Sequence, residues 1–77
     1  MNIVKLYHKN IEEGELRFPH GFPNDEDIRQ FVIKQVLSKP YIETDYIEIE
    51  YKRENQKSFN SMRRRELDKI IEGLYNE

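Results

Sequence analysis

The sequence predicts an α+β domain, a small and mainly antiparallel sheet of about three strands against two helices, in the order β-β-α-β-α. Three observations carry this. β-Branched and aromatic residues alternate with polar ones in "NIVKLYHK" (2–9) and "DYIEIEYKR" (45–53). Apolar residues recur at helical spacing through 24–39 and again toward the C-terminus. Between these segments, prolines and a glycine gather in "FPHGFP" (18–23). The 77 residues suffice for one domain, 1–77, close to the smallest size that folds alone. Nine isoleucines supply good core formers, yet the hydrophobic share is 36%, equal to the charged share, so the core must be small. A core this limited often gains stability by association, which makes a homodimer an expectation.

In the first strand, 2–9, Val4 and Leu6 share one face while Ile3 and Tyr7 share the other. Gly14 offers a turn, and Leu16 and Phe18 alternate with Glu15 and Arg17, so 15–18 reads as a hairpin return. The loop 18–23 cannot continue either element, because its prolines lack the N–H that helix and ladder both need. Asn24 then reads as an N-cap, with Asp25, Glu26 and Asp27 in the first turn where the helix dipole favours anions. That helix runs to about Lys39 and stops at Pro40. Its apolar residues cover roughly 240° at ~100° per residue, more than one sheet contact needs. The excess, chiefly Ile33 and Leu37, must meet the second helix or another subunit, which makes these two the candidate dimer contacts.

The strand 45–53 is the clearest. Ile47, Ile49 and Tyr51 fall on one side and Tyr46, Glu48, Glu50 and Lys52 on the other, the pattern of an antiparallel strand with one wet face. "ENQKS" is a polar connection, and the last helix, beginning near Ser58, carries Phe59, Leu67, Ile70, Ile71, Leu74 and Tyr75 along one side. Phe18 and Phe22 either fold back to close the core or serve as exposed aromatic anchors.

Charge is segregated along the chain. Residues 1–51 carry −4, residues 52–65 carry +5 and residues 66–77 carry −3, for a net −2. Arg63, Arg64 and Arg65 stand where a helix start would prefer acids. Local pairing through Arg63–Glu66, Arg65–Asp68 and Arg64–Asp68 permits the cluster, at about 0.2–0.5 kcal/mol per exposed pair, without demanding it. Arg53 with the three arginines forms a candidate anion-binding patch, which nucleic acid phosphates would fit. A sequence pI near 5.7 and the lack of a helix-turn-helix, zinc-finger or RNA-recognition signature weigh against nucleic acid.

On the acidic side, Glu48 and Glu50 project about 6.7 Å apart from one strand face. With Glu43, Asp45 and the run Glu12, Glu13 and Glu15 they form a candidate anionic surface for a basic partner, or else a solvated face that guards a sheet edge. The two histidines, His8 and His20, lack metal-ligand spacing, and no glycine-rich phosphate loop or nucleophile–base pair is present. No cofactor, metal or enzymatic activity is expected. With no cysteine, no basic leader before an apolar run and no long apolar stretch, the chain is expected in the cytoplasm, away from membranes.

A short, cysteine-free, Tyr- and Glu-rich chain with segregated charge, "YIETDYIEIEYKRE" followed by "SMRRRELDKIIEGLYNE", resembles the small early proteins of lytic bacteriophages. The resemblance implies a protein that binds and inhibits a host factor, sometimes by presenting DNA-like negative charge, in the host cytoplasm. Three readings result. The first is a non-enzymatic interaction protein whose Glu43, Asp45, Glu48 and Glu50 meet a basic partner protein, such as one that binds nucleic acid. The second is a nucleic-acid binder using 52–65. The third is an assembly subunit.

Overall fold

The computed structural model describes residues 1–75, apart from the side chains of Leu74 and Tyr75, so the expected burial of those two lies outside the described residues. The elements are β1 (Asn2–His8), β2 (Ile11–Phe18), α1 (Asp25–Ser38), a short 3-10 turn (Thr44–Tyr46), β3 (Ile47–Lys52), β4 (Asn60–Ser61) and α2 (Arg64–Tyr75). The expected α+β order holds. The sheet has four antiparallel strands, ordered β2-β1-β3-β4, rather than about three. The added strand β4 is two residues long, too short to leave a period-two signal.

β1 lies between β2 and β3, and its residues alternate between buried and half-buried. Val4 and Leu6 are fully buried on the inner face, with Ile47 and Ile49 of β3 beside them. Above them α1 contributes Ile28, Phe31 and Val32, and α2 contributes Leu67 and Ile71. Phe22 folds back against this core and meets Tyr51 edge-on at 5.8 Å. The same inner row of β1 ends in two buried polar residues. Asn2 donates to the Gly21 carbonyl and accepts from Glu54 N–H at 2.7 Å, joining two loops. At the other end His8 Nε2 accepts from Glu43 N–H at 3.1 Å.

Gly14 is not a turn residue. The β1–β2 turn is Lys9–Asn10, with φ of 51° and 67°, the two positive values that a tight hairpin turn requires. Gly14 sits inside β2, where a Cβ would stand 2.6 Å from the Gln35 side chain, so its missing side chain is used for helix packing. The β2 register slips between Leu6 and Tyr7, leaving Glu13 as a bulge. Lys39 Nζ donates to the Glu13 carbonyl and the Tyr41 hydroxyl to its carboxylate. That carboxylate holds the Tyr41 phenol above its ordinary pKa.

The helix starts differ from one another. Asn24 caps α1 as its sequence predicts, in a reciprocal box with Asp27 at 2.8 and 3.2 Å. α2 begins at Arg64, six residues later than expected from Ser58. Phe59 therefore lies in the loop just before β4 and not in the helix. Among the described residues, no helix is long and apolar enough to cross a membrane.

Candidate interaction surface

Both helices cover the inner face of the sheet, and the outer face is open. Register defines its rows. Lys5 stands between Glu15 and Glu50, Tyr7 between Glu12 and Glu48, and Ile3 between Arg17 and Lys52. Glu12 and Glu15 are three residues apart, which in a regular strand would place them on opposite faces. The bulge at Glu13 returns both to the outer face. Two carboxylates on each side of β1 thus flank Lys5 and Tyr7, with neighbouring strands about 4.8 Å apart.

Pairing on this face is uneven. Lys5 Nζ lies 3.0 Å from Glu12, whose carboxylate holds the ammonium above its ordinary pKa. The same ammonium sits 5.1 Å from the Phe59 ring centroid, and Lys52 approaches that ring at 5.8 Å. Glu15 is engaged by Arg17 at 2.9 Å. Among the described residues Glu48 and Glu50 have no ion-pair partner, although Glu50 stands opposite Lys5 in register. Two unpaired carboxylates beside Tyr7 can each accept the paired N–H donors of an arginine.

The predicted acidic set is thus divided. Glu48 and Glu50 share the open face with Glu12 and Glu15. Glu43 instead pairs with Lys9 at 3.3 Å, and Asp45 lies in the 3-10 turn. Asp45, Glu48, Lys9 and Arg64 line one open groove of about 480 Å³ at the end of the sheet, where both charge types meet.

The arginines also separate. Arg64 donates to the Thr44 and Ile47 carbonyls, each at 3.1 Å, and to Asp68 at 2.8 Å. Its guanidinium leaves the helix end and closes the exposed edge of β3, next to where Met62 N–H meets the Ile49 carbonyl at 2.8 Å. Of the three expected local pairs only Arg64–Asp68 is present among the described residues. Arg63 and Arg65 are exposed and without a partner there. Arg53 lies over the Phe22 ring at 4.5 Å. It follows the far end of β3, roughly 20 Å of strand from the Arg64 contacts. Arg53 therefore stands apart from the Arg64 contacts along β3. For the candidate dimer contacts, Ile33 is half-buried and Leu37 is 74% exposed.

Sequence reasoning missed two parts of this surface, the Arg64 clasp on β3 and Phe59 between two lysines. The first has no local signature, since its partners lie 17 and 20 residues away. Comparison of the chain with family models, curated proteins and solved structures finds no match.

Proposed function

We propose that this chain is a non-enzymatic protein-interaction module whose open sheet face binds a basic surface on a partner protein and thereby modulates or inhibits it. The observation that carries the reading is the pair Glu48 and Glu50, carboxylates unpaired among the described residues on a face that neither helix covers. Tyr7 and Phe59 add aromatic surface between the charges, which suits lysine and arginine side chains. The mimicry of nucleic acid is partial, because Arg17, Lys5 and Lys52 break the acidic rows. Following the resemblance to early phage proteins, the partner is a host protein that itself handles nucleic acid, met in the host cytoplasm.

A second reading, nucleic-acid binding, rests on Arg63 and Arg65, exposed and unpaired among the described residues. In it Arg64 is already engaged by the Thr44 and Ile47 carbonyls and Arg53 by the Phe22 ring. Capture from bacterial lysate with wild type, Glu48→Lys/Glu50→Lys and Arg63→Glu/Arg65→Glu separates the two. The expected result is a specific partner lost from the first variant and kept by the second. If the acidic variant captures the same partners as wild type, the open face is not the site. A mobility shift at low salt that disappears in the arginine variant would establish the second reading instead.

A further inference from the structure

We infer that β2 is a self-complementary edge, through which two copies of this chain pair antiparallel about a two-fold axis at Leu16. This stands apart from the proposed use of the open face, and also from the expected contacts at Ile33 and Leu37.

The directions of the backbone groups follow from the hydrogen bonds of the opposite edge. Met62 N–H reaches the Ile49 carbonyl and Arg64 the Ile47 carbonyl, so residues 47 and 49 turn their polar groups away from β1. Their register partners on β1, His8 and Leu6, must then turn theirs toward β2, as Val4 does. Lys5 and Ile3 turn toward β3. On β2, Glu15 and Arg17 stand opposite Lys5 and Ile3, so their N–H and C=O groups point outward from the sheet. Among the described residues nothing bonds to them, and β2 is the terminal strand.

The free run is bounded. Pro19 has no N–H to offer on one side. On the other, the Glu13 bulge is occupied by Lys39 and Tyr41. Gly14–Phe18 remains, and only three symmetric registers bring its outward groups together. Glu15 opposite Glu15 and Arg17 opposite Arg17 each set like charges face to face, which is destabilising. The third sets each Glu15 opposite the other copy's Arg17. It forms two complementary pairs, four backbone hydrogen bonds and a Leu16–Leu16 contact on the inner face. The charges that keep unrelated strands off this edge thus select one register for a second copy. Two four-stranded sheets become one, with Glu48 and Glu50 of both copies on the same open side.

Sedimentation equilibrium from low micromolar to near-millimolar concentration tests this on the intact chain, with circular dichroism confirming the fold of each variant. Wild type is expected to dimerise, more weakly as salt rises. Glu15→Arg alone and Arg17→Glu alone should each weaken the dimer about tenfold or more, because both symmetric pairs become repulsive. Glu15→Arg/Arg17→Glu should restore it, since each swapped charge again meets its opposite. A monomer at every concentration overturns the inference, and so does a dimer indifferent to the single reversals. A dimer lost on Leu37→Glu but not on Arg17→Glu would likewise overturn it and assign the contact to α1.

Discussion

At the start of α1, Asn24 and Asp27 cap each other's backbone within four residues; at the start of α2, no side chain among the described residues caps the backbone, and Arg64 reaches across to Thr44 and Ile47. The first start is written locally, and its position could be read to the residue. The second is fixed from a distance, by the strand edge that Arg64 closes and by Leu67, which is buried one turn further on. The contrast separates two ways of ending a helix and gives the central arginine of the cluster a structural task. It leaves Arg63 and Arg65 as the ones that local structure does not require.

Removing the distant tie should have the largest effect. Arg64→Ala should destabilise the chain by about 2 kcal/mol, since hydrogen bonds to a charged donor contribute ~1.5–3 kcal/mol each, less for exposed groups. Urea unfolding of the two chains measures this, and Arg64→Lys should recover only part, because one ammonium cannot span three acceptors in the guanidinium's planar geometry. A loss below about 0.5 kcal/mol would mean that α2 is held by Leu67 and Ile71 alone, and the contrast between the helices would collapse to one of core burial.

Asn24→Ala at the local start should cost about 1 kcal/mol, the usual effect of deleting a cap. The reverse experiment supplies α2 with what it lacks. Arg63 precedes the helix and its carbonyl accepts from Glu66 and Leu67 N–H at 3.0 and 3.1 Å, the geometry of an N-cap. Arg63→Ser places a hydroxyl three residues before Glu66, which completes a capping box and should raise stability by roughly 0.5–1 kcal/mol in the same urea assay. If it also loses a partner that wild type captures, arginine at this position serves binding at the expense of the cap.

How far the fold could be read from sequence follows the same division. β1, α1 and β3 announce themselves because their signals span contiguous residues: period-two alternation, a capping residue, a proline stop. β4, the start of α2 and the turn at Lys9–Asn10 do not. β4 exists only because Asn60 and Ser61 meet Tyr51 and Glu50 across a loop. Gly14 misled for a related reason, since a glycine that admits a neighbouring helix looks in sequence like one that permits a turn. For the surface, Glu48 and Glu50 were legible as a pair because they lie on one regular strand. That Glu12 and Glu15 join them depended on the bulge, and that Glu43 and Asp45 leave them depended on the 3-10 turn.

The smallest effect probes the acidic first turn of α1 directly. Gln30 donates to the Glu26 carboxylate at 2.9 Å, and this bond, with the neighbouring Arg29, holds the Glu26 pKa below the ordinary glutamate range. A carboxyl whose folded pKa is depressed contributes stability above the unfolded value, about 4.3, and loses it as pH falls through the lower folded value. Acid should therefore loosen the start of α1 while leaving the Arg64–carbonyl contacts of α2 intact, because neither arginine nor a backbone carbonyl titrates there. Carboxyl resonances followed by NMR through the acid range should show Glu26 titrating below the ordinary glutamate range. Gln30→Ala should move it back toward that range, because the larger of its two supports is gone. An unchanged midpoint in that variant would leave the helix dipole and Arg29 as the source, and the local start of α1 would then depend on the whole first turn instead of one side-chain bond.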